Sequence, residues 1–177
     1  MRKELTIHLS AFLVSFLVMA VLRQYLQFSY LPFFVGALVG TFLPDIDHFI
    51  YIYYLRPHEL TSQRAKSMIQ KRDFVGSWNL LSSTRYERTN LVFHNAWFQV
   101  LFLILTFWVL SSSLNLFGRG LVLAFSLHLL VDQFIDLRDT KSLSNWFAQL
   151  SITLSRTQVT IYLLVVSSFL LFLAFFL

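Results

Sequence analysis

The stretch GTFLPDIDHF places Asp45, Asp47 and His48 within four residues of one another inside an otherwise apolar run, and SLHLLVDQFID does the same with His128, Asp132 and Asp136. On a helix, residues at i, i+4 and i+8 advance only about 40° per step, so His128, Asp132 and Asp136 share one face. A His and a carboxylate so placed can hold one metal ion. Asp45 and His48, at i and i+3, also share a face. Pro44 has no N–H to return to the Gly40 carbonyl, and the break this makes lets Asp47 turn inward too. His8 and His94 are the other histidines within apolar segments. A carboxylate at the bilayer centre costs at least about 2.5–3.5 kcal/mol on insertion scales. No Lys or Arg lies within the apolar runs to pair with these acids, Arg56 and Arg88 standing at the rim. Either the acids carry protons or a cation sits among them. Cysteine is absent, so a metal would rest on imidazole nitrogen and carboxylate oxygen. That donor set suits zinc, with manganese and iron as alternatives. The expected ligands are His8, Asp45, Asp47, His48, His94, His128 and Asp132. Asp47 and Asp136, less engaged by metal, are candidates for a general base.

The elements that must position these groups are helices in a bilayer. The chain is 56% hydrophobic and only 13% charged, against about 25% charged in soluble domains. Its five apolar segments, 5–22, 29–55, 91–114, 120–137 and 158–177, each approach or exceed the roughly 20 residues that span a bilayer as helix. In lipid the backbone must satisfy itself, so the predicted fold is an all-α polytopic membrane bundle of about five transmembrane helices in one domain. Segment 5–22 behind Arg2 and Lys3 also has the outline of a signal peptide, with VMA a poor cleavage site. An uncleaved first helix is the simpler reading. Between spans two and three runs a basic stretch, 56–90, in which ELTSQRAKSMIQKRDF predicts one short basic helix near the membrane face; a solvated positive-inside loop is the simpler reading and attraction to anionic headgroups the alternative. Leu143, Trp146, Phe147 and Leu150 fall at i, i+3, i+4 and i+7 and predict an interfacial helix at about 142–151. Gly36 and Gly40 form a GxxxG packing face. Tyr51, Tyr53 and Tyr54 suit an interfacial aromatic belt. His58, after Arg56 and Pro57, reads as a solvated loop residue.

With the N-terminus in the cytoplasm, twelve of the fourteen Lys and Arg residues fall on the cytoplasmic side, and only Arg23 and Arg119 fall outside. That asymmetry predicts an N-terminus inside and a C-terminus outside, in the cytoplasmic (inner) membrane of a prokaryote. Given alternating spans, His8, Asp45–His48, His94 and His128–Asp132 arrive at the same leaflet from four segments, which marks them as a single constellation.

LPDIDH after a small-residue helix, a His opening a later span, and SLHLLVDQFID together resemble the YdjM-like family, membrane-bound, LexA-regulated proteins described as metal-dependent hydrolases. Members of that family carry an N-terminal His, LPDxDH, RGxTHS and SHLLLDxLT. By position, His8 matches the first, Asp45, Asp47 and His48 the second, and His128 and Asp132 the last. The third departs: RTNLVFHNAW keeps His94 but has Asn95 in place of Ser, and its Arg is displaced, at Arg88. Asp136 stands where the family has Thr or a similar residue. The resemblance runs from His8 to Asp136. It implies a helical metal hydrolase distantly like zinc-dependent phospholipase C and the single-strand-specific zinc nucleases, with His and Asp on zinc and Arg88 as a phosphate-binding residue.

The expected function is therefore a membrane-bound hydrolase of the cytoplasmic leaflet. It would use metal-activated water on a phosphoester or lipid-like substrate, the phosphoester resting on the phospholipase analogy. The basic stretch suits an anionic headgroup. The charge of +5 would suggest nucleic acid in a soluble chain, but in a membrane chain the positions of the basic residues matter more than their sum. The bilayer is the expected partner and nucleic acid is not, and nothing in the sequence sets an oligomeric state. A proton or metal-ion transporter is the first alternative, but the outer-leaflet half offers only hydroxyls such as Ser111–Ser113 and Ser126. A non-catalytic protein whose metal fixes helix packing is the second.

Overall fold

The computed structural model describes residues 2–176. Among them the chain forms nine α-helices and no strand: α1 (Arg2–Leu22), α2 (Leu31–Phe42), α3 (Ile46–Ile50), α4 (Leu60–Gln70), α5 (Phe74–Ser83), α6 (Ala96–Ser112), α7 (Leu116–Thr140), α8 (Ser144–Phe147) and α9 (Arg156–Phe176). Leu5–Leu22, Phe28–Leu55, Leu116–Thr140 and Arg156–Phe175 are long and apolar enough to cross a bilayer, and α6 is a shorter apolar helix. Of the predicted fifth span, Leu177 lies outside the described residues, as do the side chains of Arg2 and Lys3 used in the charge count.

Glycine sets the closest helix contact. A Cβ at Gly36 would collide with the backbone carbonyl of Phe117, one at Gly40 with that of Leu121, and one at Gly120 with that of Phe33. α2 and α7 thus meet backbone to backbone, the close approach that the GxxxG pattern led us to expect of α2, and they run parallel. The other long helices run the opposite way. His8 of α1 stacks on His128, while Met19 sits at the level of Leu123. Gln99 of α6 bonds Gln133, and Thr106 bonds Ser126. Tyr162 of α9 meets Gln133, while Leu173 reaches Leu123. α7 is the shared centre: 72% of its apolar window is buried, against 22% in α1 and 28% in α9.

Two polar clamps hold α6, α7 and α9 together. Gln99 and Gln133 exchange amide hydrogen bonds at 3.2 and 2.6 Å, and the Tyr162 hydroxyl donates to the Gln99 side-chain oxygen while accepting from Gln133. The Thr106 and Ser126 hydroxyls pair at 3.0 Å. These groups satisfy one another away from water, which removes the penalty of burying each alone.

Local chemistry explains where the elements depart from expectation. The third predicted span, 91–114, becomes helical only at Ala96. Asn95 is the cap: its side-chain oxygen accepts from Phe98 N–H at 2.8 Å, and its amide donates to the carbonyls of Leu91 and Val92. Such an N-cap both starts the helix and keeps the preceding residues out of it. The second span is regular only as far as Phe42. A 3-10 turn over Leu43–Asp45 surrounds Pro44, and a π-helical turn over Tyr51–Leu55 ends the span. The stretch 56–90 holds two helices rather than one. α4 and α5 pack as a hairpin over Tyr51, Ile52, Ala65, Leu81 and Leu91, with Asp73 capping α5. Tyr51, expected in the belt, is buried and donates to Glu59 at 2.6 Å. The predicted interfacial segment 142–151 turns inward instead: Leu143, Trp146 and Phe147 join the main core.

Candidate metal centre

Asp132 is the hub. The Nε2 atoms of His94, His8 and His128 lie 2.8, 3.2 and 3.3 Å from its carboxylate oxygens. Each His comes from a different element: α1, the non-helical segment before α6, and α7 itself. The donor atoms of His8, His128 and Asp132 all lie within 4.8 Å of one another, close enough to share one ion. The side chains of Asp132, His94 and His128 are 4%, 3% and 1% exposed.

The orientation of the rings is set from behind. His128 Nδ1 lies 2.7 Å from the Thr41 carbonyl, in the stretch where α2 gives way to the 3-10 turn and the regular i+4 ladder lapses. His94 Nδ1 lies 3.1 Å from Asp47 Oδ2. A ring proton on Nδ1, facing these acceptors, would leave the Nε2 of each neutral imidazole free to ligate a cation. Among the described residues, the Nε2 atoms of His94 and His128 have no hydrogen-bond partner of acceptable geometry, although a carboxylate oxygen lies beside each. In that tautomer the converging lone pairs would repel the Asp132 carboxylate unless a cation lay between them, whereas protonated rings would pair with it directly. The residues therefore fit a divalent metal, and outer carbonyl and carboxylate partners of this kind are what orient metal-binding histidines.

The predicted site residues divide on this geometry. His8, His94, His128 and Asp132 come together. Asp45 approaches the cluster at its edge, its Oδ1 3.7 Å from His128 Nε2, and is 22% exposed. His48 stacks on His94 at 5.1 Å between ring centroids, and its buried Nδ1 has no hydrogen-bond partner among the described residues. Asp45 and His48, with His8, Arg85 and Asp132, line a cavity of about 30 Å³. That space admits an ion or a water but no whole substrate.

Asp47 requires a correction. It is fully buried and does not line the cavity. Its Oδ1 accepts from Val92 N–H at 2.9 Å, and its Oδ2 accepts from Phe93 and His94 N–H groups and from the His94 ring. Both oxygens are committed to the segment that carries His94, so Asp47 is a positioning residue rather than a ligand or a base. Asp136 is corrected likewise. Its Oδ2 accepts from Asn145 and from the Trp146 indole N–H at 3.0 and 2.7 Å, and its Oδ1 lies 2.7 Å from Arg85 Nε.

Arg85 also overturns the expectation that no basic side chain reaches the buried acids. It contacts Asp132 Oδ1 through Nη2 at 2.9 Å as well as Asp136, and is 13% exposed. Arg88, the expected phosphate-binding residue, is 2% exposed, donates to the Leu81 carbonyl and the Thr84 hydroxyl, and lines the same small cavity as Arg85. It fastens the end of α5, which presents Arg85. The sequence signal for Arg85 was the excess of acids in the apolar runs, which called for a cation. Nothing in SSTRYERTN distinguished Arg85 from Arg88.

The chain matches no family model, no curated protein and no solved structure.

Proposed function

We propose that the chain crosses the bilayer five times with its N-terminus in the cytoplasm, and that it is a metal-dependent hydrolase of the cytoplasmic leaflet acting on a phosphoester or lipid-like substrate. The observation that carries this reading is the meeting of three imidazole Nε2 atoms at Asp132, two of the rings being backed at Nδ1 by the Thr41 carbonyl and the Asp47 carboxylate. The alternating directions of α1, α2, α6, α7 and α9 and the placement of basic residues support the topology. The motif resemblance to the YdjM-like hydrolases points the same way.

His8, His94, His128 and Asp132 would hold the ion, with Asp45 and His48 beside it at the cavity wall. A divalent metal, with zinc first for this donor set, would supply Lewis-acid activation of water and of a phosphoryl or acyl oxygen. The chain's own part is positional. Asp47 and the Thr41 carbonyl aim the rings. Asp136, anchored by Trp146, holds Arg85 against the cluster, where its guanidinium suits the anionic part of a substrate. Transport is disfavoured because beyond the cluster the spanning helices offer hydroxyls such as Thr106 and Ser126 rather than a continuing line of ionisable groups.

The test is metal analysis of purified protein alongside release of phosphate-bearing headgroups from anionic vesicles. Wild type should hold metal in stoichiometric amount and His128→Ala should lose it, with turnover lost in parallel. Stoichiometric metal retained in both Asp45→Ala and His128→Ala would sink the site. Metal bound without any turnover would assign it to helix packing instead.

A further inference from the structure

α7 stops at Lys141, which adopts a left-handed conformation at φ 59°, and α9 begins at Arg156. Between these two helix ends lies a groove of about 670 Å³. Its floor is apolar, formed by Phe134, Leu137 and Val159, and its rim carries Arg138, Lys141 and Arg156. Phe134 is 49% exposed on the flank of a helix long enough to span the membrane. Arg138 is paired with Asp139 at 2.7 Å. None of the residues lining the groove is acidic, so Lys141 and Arg156 give it a net positive rim.

Where two spanning helices end, hydrocarbon gives way to headgroups. A cationic rim above an apolar floor at that level is complementary to a molecule with an anionic head and an apolar tail. A free inorganic anion has no use for the floor. A zwitterionic lipid brings its own cation, which opposes Lys141 and Arg156. We propose that the α7–α9 groove binds one anionic phospholipid, its phosphate held by Lys141 and Arg156 and an acyl chain laid along Phe134 and Leu137. The groove shares no lining residue with the His8–Asp132 cavity, so this site stands apart from the metal reading and rests only on the helices spanning the bilayer.

The test is lipid retention by the detergent-purified full chain, counted by native mass spectrometry during titration with phosphatidylglycerol or phosphatidylcholine. Wild type should retain one phosphatidylglycerol at concentrations where phosphatidylcholine is not held. Lys141→Gln with Arg156→Gln should weaken that binding by about tenfold or more, because each basic residue near a membrane surface contributes appreciably to holding anionic lipid. Arg156→Gln alone should give a smaller loss in the same direction. Arg64→Gln with Lys66→Gln, which removes the same charge from α4, should bind as wild type does. Metal content and far-ultraviolet circular dichroism check that each variant is folded. The proposal fails if the Lys141/Arg156 variant keeps wild-type affinity, if the α4 variant loses as much, or if phosphatidylcholine is held equally well. Capture of an acidic protein segment with no phosphatidylglycerol retained would also overturn it.

Discussion

His128 Nδ1 lies 2.7 Å from the carbonyl oxygen of Thr41, a residue 87 positions earlier in the chain. This one contact ties the interrupted end of α2 to the centre of α7 and decides which nitrogen of His128 faces Asp132. It depends on the glycine contacts beneath it, since the backbones can approach this closely only where Gly36, Gly40 and Gly120 carry no side chain.

Gly40→Ala should therefore damage both stability and metal binding. The added Cβ would meet the Leu121 backbone, which cannot give way as a flexible side chain would. Overpacking of this kind costs about 1–3 kcal/mol. Gly118→Ala is the control: its nearest neighbour would be 3.8 Å away, and the helix propensity gained is up to about 1 kcal/mol. Unfolding in detergent with metal content read alongside should separate the two. Equal behaviour would mean that the α2–α7 contact is not limiting.

Asp47→Asn keeps the shape of the side chain but replaces one acceptor oxygen with a donor. Oδ1 and Oδ2 both accept backbone N–H groups, so the amide cannot satisfy all of them. A loss of about 1–3 kcal/mol in stability is expected for the orphaned donors. Metal affinity should fall about 10–100-fold as His94 loses its orienting carboxylate. Isothermal titration with zinc measures the second effect, and an unchanged dissociation constant would return Asp47 to a purely structural role.

Arg85→Met leaves Asp132 and Asp136 buried without their guanidinium partner. Breaking a buried ion pair from one side costs about 3–5 kcal/mol, so the metal-free variant should be strongly destabilised. Added zinc should stabilise it more than it stabilises wild type, because the ion supplies the missing positive charge beside Asp132. A thermal shift with zinc no larger than that of wild type would contradict this.

Gln133→Leu removes one member of the Gln99–Gln133–Tyr162 network and strands the other two in the core. The expected loss is about 1–3 kcal/mol. Gln99→Leu combined with Gln133→Leu should cost less than the sum of the single changes, since residues in one network couple. A double-mutant cycle by detergent unfolding gives the coupling, and strict additivity would show that the amides do not act together.

Much of the architecture was legible in the sequence because it depends on local quantities. Apolar run length announced the membrane-crossing helices, and the i, i+4, i+8 spacing put His128, Asp132 and Asp136 on one face of α7 whatever its surroundings. The break at Pro44 and the close approach of α2 followed from the missing N–H of proline and the missing side chains of Gly36 and Gly40. The gathering of His8, His94 and His128 toward Asp132 was foreseeable because alternating helix directions bring residues near the matching ends of successive helices to a common level.

Tertiary structure alone decided what each polar atom faces. Asp45 and Asp47 are two residues apart in one motif, yet one borders the cavity and the other holds the His94 segment from behind. Arg85 and Arg88 are three residues apart and both line the cavity, yet one pairs with the acids and the other bonds the end of α5. Depth is a property of one helix and its sequence. The direction in which a side chain finds its partner depends on the rotation and approach of several helices at once, and spacing along a single chain does not encode that.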